Sequence, residues 1–567
     1  MTRSDEPVTR ASRRQWWQDL RWITAGVVAG IVALLAWGLF GPEPPLKVAR
    51  NTTFLTAPLA ADGLPDYRAA LLAAMGPAPK PEENAAVELL QVMWPLKLEA
   101  ADLPVVCQAL GIPAVPPAET LPSPTKDAAV RVTHEMLAAA RERPWTGAEF
   151  PELEAWLVAH EAALNRLVAA ADRPRYWLPS PAMLRPNLQE FMEYHPDDTF
   201  VRLVAEHLRC RAMWHVGSGR HAAAWRDIRA GYRFSRLLTM PPNETCSAGV
   251  HLTQDGTGTM ADRALTHALL GAPGLPADAL ATIRRELDLI GPLPDLGDAF
   301  LDTERITMIE WLVTLAKRIP GGRAGRRQAF DFPVLGLAAG PPPSRSWLAT
   351  LRQSFGTSDQ AAVSTSLEWD VALERVNAYI DSVVAAARRS THMTRQAELK
   401  RLEADLCRSR NGPGWGGVGH VVCGIGSRKY RSAFVGVGSI WIYSDHFEVR
   451  TRSRASFDLT RTAAALAAWK ADRAAGDESY PETLDALVPQ YLPVVPLDPF
   501  SDTPFIYERR GDGYLLASVG KNGVYDGGDG RDGWIVGGEW RATSQDVDRD
   551  KSDIVVRMPV PPRPVAP

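Results

Sequence analysis

Cysteine is scarce in this chain and has no metal-binding pattern. None of the five cysteines forms a C-x-x-C pair or has zinc-site spacing; they are Cys107, Cys210, Cys246, Cys407 and Cys423. The odd count excludes complete pairing within the chain, whereas one or two disulfides of unknown connectivity are compatible with it. The motifs H-E-x-x-H, G-x-S-x-G and G-x-x-x-x-G-K-[ST] are also missing. The sequence therefore gives no familiar catalytic signature.

Neither sign of charge is in large excess, so the composition does not indicate a nucleic-acid partner. Lys and Arg total 63 against 66 Asp and Glu, a formal net charge of −3. Nucleic-acid binding is therefore not expected, because it is favoured by a basic surface. The composition, 46% hydrophobic and 23% charged, is typical of a globular protein. A length of 567 residues predicts two or three domains.

One uncharged apolar run lies near the N-terminus, from Trp22 to Phe40. About 20 apolar residues in a helix cross the hydrocarbon core of a bilayer, so residues 22–40 are predicted to be a transmembrane helix. The arginines before the run predict that residues 1–21 are cytoplasmic and that the bulk is extracytoplasmic. A cleaved signal peptide is the alternative, but the long leader favours an uncleaved signal anchor. We expect a single-pass protein of the bacterial inner membrane, mostly periplasmic.

Helix-period spacing of apolar residues dominates residues 65–407. Before them, residues 41–64 are expected to form an extended, proline-bearing tether. An internal linker at 317–346, with proline, glycine and a basic cluster, is expected to be a solvated loop. Strand-like alternation is almost missing before residue 430. The sequence thus predicts a mainly α protein with a large, irregular all-α domain of helical hairpins.

One hairpin in this domain has small and apolar residues at regular spacing. They are Ala212, Gly219, Ala224, Ile228 and Gly231. Their spacing is similar to that of a tetratricopeptide repeat, in which small residues allow two helices to approach closely. The 34-residue period does not recur convincingly, so we expect an irregular helical array and not a regular solenoid.

The pattern changes in the last part of the chain. Residues 408–454 are expected to be a glycine-rich linker with a β-prone segment at Phe434–Tyr443. Asp458 to Ala475 has the spacing of a helix, with Asp458 as its N-cap. Gly511-Asp512-Gly513 then separates two strand-like runs, which predicts a β-hairpin. Residues 455–567 are therefore expected to form a small α+β domain with a helix packed on an antiparallel sheet.

Short motifs in this C-terminal segment form a distinctive combination over about 100 residues. They are Thr462–Leu466, Tyr480-Pro481, Leu484, Leu487-Val488, Tyr491–Pro493, Pro496, Asp498–Phe500, Pro504, Tyr507, Ser518–Gly520 and Gly527-Gly528. This combination resembles the C-terminal domain of the major pseudopilin of type II secretion. In that family, a loop after the last hairpin strand holds a calcium ion that orders the fold. The resemblance implies calcium ligands at the main-chain carbonyls of Ser518 and Val519 and at Asn522, Asp529 or Asp532, and Asp553.

The chemistry of this loop also favours calcium. Calcium takes six to eight oxygen ligands from carboxylates, amides and carbonyls, commonly on flexible loops. The segment Gly511–Asp553 has eight aspartates and one glutamate against five Lys or Arg, a net charge of −4. A bound cation would relieve that repulsion. A solvated acidic turn without a cation is the alternative.

The chain departs from the pseudopilin pattern in several places. Asn522 stands where an aspartate is usual, and about twenty residues, Gly533 to Lys551, are inserted before Asp553. The prepilin-peptidase site is missing, so polymerisation is not expected. The whole layout is similar to that of large membrane-anchored proteins of planctomycete-type bacteria, in which a helical domain precedes a pseudopilin-like end. That similarity implies no activity.

Two sets of residues have side chains of the types that catalysis uses. His420 and Cys423 lie three residues apart on a glycine-rich loop, but their spacing does not define a nucleophile with its base. A set of acids surrounds a proline-containing segment: Glu190, Glu193, Asp197 and Asp198. These acids could form a glycosidase-like pair, but acids at a helix start explain them better.

These patterns favour a non-enzymatic role. We expect a scaffold or partner-binding protein of the cell envelope, linked by the resemblance to type II secretion or pilus-like assembly, with calcium-ordered C-terminal loops. The membrane and a protein are the expected partners. The alternative is a cell-envelope hydrolase with its site in a cleft of the helical domain. A third interpretation takes calcium as purely structural and the C-terminal module as a stability cap.

Overall fold

A computed structural model describes most of the chain between Arg10 and Val560. The described residues are 10–93, 101–113, 121–127, 129–179, 184, 199–238, 248–318, 322, 326, 363, 365–411, 427–438, 444–473, 479–528 and 553–560. Within them the chain is mainly helical, with a three-stranded sheet near the C-terminal end. The predicted mainly α class is confirmed at this level.

The helices largely follow the apolar periodicity of the sequence. Their bounds are α1 (Arg10–Phe40), α2 (Tyr67–Ala74), α3 (Ala85–Met93), α4 (Leu103–Ala109), α5 (His134–Glu142), α6 (Pro151–Ala159), α7 (Glu161–Ala170), α8 (Thr199–Gly217), α9 (His221–Leu237), α10 (Ala248–Ala264), α11 (Ala277–Ile290), α12 (Asp298–Val313), α13 (Trp369–Ala387), α14 (His392–Asn411), α15 (Arg428–Gly438) and α16 (Ser444–Asp472). Two π-helical turns, Leu265–Leu269 and Thr314–Arg318, directly follow α10 and α12.

Contacts within the chain divide it into two compact units. The anchor unit comprises Met1–Pro65, Arg305–Asp381 and Leu402–Trp441, and the main unit comprises Asp66–Glu304, Ser382–Arg401 and Ile442–Pro567. One division, between Pro65 and Asp66, falls at the boundary predicted at residue 65, whereas none falls at the boundaries predicted at residues 407 and 455. Periodicity identifies helices, but packing partners lie far apart in the chain and leave no local pattern.

In the anchor unit, residues 41–64 are not a free tether. The segment contains turns at residues 50–53 and 61–62, and the side-chain amide of Asn377 on α13 donates to the carbonyls of Asn51 (3.1 Å) and Thr52 (2.9 Å). Thr52 and Thr53 are buried. The segment is therefore part of the folded unit, because side chains of the unit satisfy its main-chain groups.

In the main unit, α8 and α9 form the helical hairpin that the small residues predict. Gly219 lies in the connecting turn with φ of +70°, a left-handed conformation that favours glycine. Ala212 and Ala224 are buried between helices. A Cβ added at Gly231 would lie 3.6 Å from the Cβ of Ala261, so α9 also approaches α10 closely.

The described strands form one antiparallel sheet in the order β1-β2-β3. They are β1 (Ile506–Arg510), β2 (Gly513–Ser518) and β3 (Ile554–Met558). Gly511 has φ of +58° in the turn between β1 and β2, so the predicted hairpin is confirmed. Leu516 in the central strand pairs with Tyr507 on one side and Val556 on the other.

The helix that packs on this sheet, α16, starts earlier than predicted. It begins at Ser444, so Asp458 lies in its interior and is not an N-cap. Tertiary contacts stabilise the added turns: Arg450 Nε donates to Asp255 Oδ1 of α10 at 2.7 Å. The later turns bury apolar side chains such as Leu459 and Leu466 in a core shared with the sheet. A helix packed on an antiparallel sheet is therefore present, as predicted.

The β-prone prediction for Phe434–Tyr443 is wrong for its first five residues. These residues lie in α15, and residues 439–443 fall outside the described part of the chain. Gly436 allows α15 to contact α13 closely, since a Cβ there would lie 2.6 Å from the carbonyl oxygen of Ala372. Helix packing thus overrides the local β preference of the segment.

Candidate functional site

The end of strand β2 is fixed by one buried carboxylate, that of Asp498. Its Oδ1 accepts hydrogen bonds from the amide of Phe500 (3.0 Å) and the hydroxyl of Ser518 (2.9 Å), and its Oδ2 accepts one from the amide of Val519 (2.8 Å). Burial raises the pKa of this carboxyl, although the hydrogen bonds oppose the shift. Ser518 and Val519, two of the predicted ligand positions, are therefore held firmly at the start of the loop.

Hydrogen bonds link Asn522, Asp526 and Asp553 in the loop after β2. Asn522 Nδ2 donates to Asp526 Oδ2 at 2.9 Å. Asp553, buried just before β3, accepts at Oδ2 from the amides of Asp526 and Gly528, each at 2.9 Å. Asp526 was not among the predicted ligands, yet it connects the predicted residues Asn522 and Asp553. The only sequence signal for it was the acidic, glycine-rich run in which it stands.

The path of this loop requires glycine at position 528. Gly528 has φ of +72°, and a Cβ added there would lie 2.7 Å from a methyl carbon of Leu515. The adjacent Gly527 has φ of +82°. These two glycines let the chain turn back so that the Gly528 amide reaches Asp553.

The donor set fits calcium in chemical type, because two carboxylates and one amide supply oxygen ligands. Asp529 and Asp532 lie outside the described residues. In the part of the chain that the structure describes, no group of three His, Cys, Asp or Glu side chains is placed to hold a metal ion. A complete cation site would therefore need main-chain carbonyls, water or acids from the segment after Gly528.

The main unit contains a buried ion pair that was not predicted. Arg211 on α8 donates to Asp227 on α9 through Nε (2.8 Å to Oδ2) and Nη2 (2.7 Å to Oδ1). Their side chains are 3% and 0% exposed. Arg211 also donates to Asn165 on α7 at 3.0 Å. Burial lowers the pKa of the adjacent His215 to about 3, so its ring is neutral near pH 7. The cluster links three helices through ionic hydrogen bonds.

A second buried polar cluster connects α9, α10 and α16. Arg450 donates to Asp255 and to Gln254 Oε1 (3.1 Å), and Tyr232 donates to Asp262 at 2.7 Å. Burial raises the pKa of Asp262 to about 6. The seven-residue spacing of the two aspartates places them on one face of α10, which was a usable sequence signal. These groups bind one another in the helix core, an arrangement that stabilises the bundle.

Helix α1 is long and apolar enough to cross a membrane. The span Leu20–Phe40 has 21 residues and none of it is buried. Among the described helices it is the one that meets this test. At 1.5 Å per residue it is about 31 Å long, close to the thickness of a hydrocarbon core. A membrane anchor and a signal sequence share these properties. The contacts of the last turn of α1 are therefore needed to distinguish a retained helix from a cleaved one.

The last turn of α1 is hydrogen-bonded to the rest of the anchor unit. The carbonyl of Leu39 accepts from the amide of Ser366 at 2.7 Å. The carbonyl of Gly38 accepts from Arg431 Nη2 at 2.6 Å, and Arg431 also donates to the carbonyl of Ser366 at 3.0 Å. These bonds satisfy carbonyls that the end of a helix otherwise leaves without partners.

A buried ionic cluster lies directly after α1. Both carboxylate oxygens of Glu43 accept from Arg326, at 2.7 and 2.8 Å. Glu43 also accepts from the amide of Leu367 (3.1 Å) and the indole of Trp369 (3.0 Å). Arg326 lies in the segment 317–346, which was predicted to be a solvated loop, but this arginine is only 5% exposed. The prediction fails here because a carboxylate and two main-chain carbonyls bind its guanidinium.

The remaining candidates add no site. His420 and Cys423 fall outside the described residues, as do Glu190, Glu193, Asp197 and Asp198. Cys107 and Cys210 are buried free thiols, and Cys407 is an exposed free thiol.

Comparisons with known proteins give no match to this chain. No family model, no curated protein and no solved structure matches it.

Proposed function

We propose that this protein is a membrane-anchored scaffold or partner-binding protein of the cell envelope. The observation that carries the proposal is the set of hydrogen bonds between the last turn of α1 and the folded anchor unit. Cleavage after α1 would remove the carbonyls of Gly38 and Leu39 and leave Arg431 and Ser366 without these partners. Such integration supports a retained anchor over a cleaved signal peptide.

The proposed topology follows from charge. Arginines precede the span, so we infer an N-terminus in the cytoplasm of a bacterium and a bulk in the periplasm. This anchoring is tested by N-terminal sequencing of protein extracted from membranes. We expect a sequence that begins at or near Thr2. A start after Phe40 would show that the helix is a signal peptide.

The scaffold role is supported by how the main unit uses its buried charges. Arg211 with Asp227 and Arg450 with Asp255 connect helices to each other. We infer that these contacts fix one arrangement of the helices, as a partner-binding surface would require. The C-terminal helix and antiparallel hairpin agree with the pseudopilin-like resemblance, from which we propose a link to type II secretion or pilus-like assembly.

We also propose that calcium orders the loop after β2. Asn522, Asp526 and Asp553 would hold the ion, together with carbonyls of Ser518 and Val519 and an acid of the following segment. The cation would neutralise the carboxylates and fix the loop. The Asn522 side-chain nitrogen donates to Asp526 and its oxygen accepts from the amide of Val524 at 3.1 Å, so binding requires this oxygen to turn from the Val524 amide toward the ion.

Calcium is expected to raise the thermal stability of the full-length protein in detergent. Binding to the folded state alone adds about 2.7 kcal/mol at a hundredfold excess over Kd. Asp553→Asn and Asp526→Asn should abolish the increase, whereas Asp485→Asn, an exposed acid of the same module, should retain it. Melting is compared in calcium and in chelator. Equal melting of the wild-type protein in both would remove calcium from the proposal.

A further inference from the structure

The first turn of α15 lies at the level where α1 ends. Arg428 Nη1 donates to the carbonyl of Pro42 (3.1 Å) and Nη2 to the carbonyl of Trp37 (3.3 Å). Arg431, one turn later, donates to the carbonyl of Gly38. These contacts fix two guanidinium groups beside the last turn of the span. If α1 crosses a bilayer, that position is the phosphate layer of the lipid headgroups.

The side chains around this turn give it a positive charge that faces outward. Lys429 is exposed and Arg428 is partly exposed. Within the described part of the chain, the guanidinium of Arg428 donates to main-chain carbonyls and not to a carboxylate. The nearby carboxylate of Glu43 is already bound by Arg326. Trp37, 64% exposed, stands beside the turn as an interfacial aromatic residue.

We propose that Arg428 and Lys429 form a binding site for the phosphate group of an anionic phospholipid, in the leaflet at which α1 ends, while the buried Arg431 holds their turn against α1. The inference rests on the proposed membrane anchoring. Guanidinium and ammonium groups are the donors that proteins use for phosphate. Each cation near an anionic leaflet strengthens binding by a factor of about five. Lipid binding at this turn would also fix the depth of the anchor unit at the membrane surface.

The test uses the full-length protein in mixed micelles, with phosphatidylglycerol and phosphatidylcholine of identical acyl chains. Native mass spectrometry measures which lipid stays bound. We expect preferential retention of phosphatidylglycerol, weaker by about fivefold in Arg428→Gln and by about 25-fold in Lys429→Glu. Lys429→Arg should retain the preference. Lys400→Glu, an exposed lysine on α14, is the matched control and should not change it.

Two results would overturn the inference, and they are distinguishable. If the protein inserts into micelles and vesicles but retains both lipids equally, or if Lys429→Glu has no effect, the lipid site is wrong and the anchor stands. If the protein does not insert at all, the anchoring and the lipid site fail together.

Raising the salt concentration to 1 M should also reduce the preference for phosphatidylglycerol, since the Debye length falls to about 3 Å.

Discussion

Replacing Glu43 by alanine is expected to destabilise the anchor unit by about 3–5 kcal/mol, the cost of breaking a buried ion pair by removing one partner. The change leaves Arg326 as a buried cation and also deprives the Leu367 amide and the Trp369 indole of their acceptor. Burial acts to raise the pKa of the Glu43 carboxyl. The hydrogen bonds to this carboxyl and the positive charge of Arg326 have the larger effect, so the pKa is lowered overall. The carboxylate is therefore ionised at neutral pH.

Hydrogen exchange measured by mass spectrometry checks this expectation locally, because exchange reports the stability of individual segments. Peptides that contain Leu367 should exchange faster in Glu43→Ala than in the wild-type protein. Glu374→Ala removes an exposed hydrogen bond to Asn51 in the same unit and should have little effect. If exchange near Leu367 is unchanged in Glu43→Ala, the buried cluster does not stabilise this unit.

Asp227→Ala is expected to cost the main unit a similar amount, about 3–5 kcal/mol. The substitution strands the guanidinium of Arg211 between α8 and α9, where both side chains are almost fully excluded from water. One hydrogen bond, to Asn165, would remain to that cation. Chemical unfolding of the full-length protein in detergent, followed through a signal from the main unit, measures the loss.

A paired substitution separates the cost of a stranded charge from the value of the pair. Arg211→Met with Asp227→Leu removes both charges and fills the space with apolar atoms, so the double variant should be close to the wild-type protein or more stable. Asp172→Ala, which breaks the exposed pairs with Arg229 and Arg233, should cost at most about 1 kcal/mol. A double variant as unstable as Asp227→Ala would contradict this account.

Features with a local sequence signal were predicted well. The apolar run Trp22–Phe40 lies within α1, and Gly511-Asp512-Gly513 lies in the turn between β1 and β2. Both signals depend on neighbouring residues: a long uncharged segment in one case, and glycine with a positive φ in the other. The start of α16 was not predicted, because the contact of Arg450 with Asp255 on α10, which stabilises the first turns of α16, leaves no local sequence signal.

Features that depend on distant partners could not be predicted. Glu43 lies in a proline-rich segment and Arg326 in a basic loop, and each resembled a solvated charge until the fold placed them together. The contacts within the proposed calcium loop after β2 could not be predicted for the same reason. Asn522 and Asp553 came from a resemblance, whereas Asp526 becomes visible only through its hydrogen bonds with both.

We propose above all that α1 is a retained anchor with the folded bulk outside the cytoplasm. Cysteine labelling tests it directly, because Cys407 is an exposed thiol on α14. In a variant with Cys246→Ser and Cys423→Ser, a membrane-impermeant maleimide should label Cys407 in spheroplasts without lysis. Ser4→Cys, added in a second variant that also has Cys407→Ser, should be labelled only after lysis. Labelling of position 4 in intact spheroplasts, with Cys407 protected until lysis, would contradict the account.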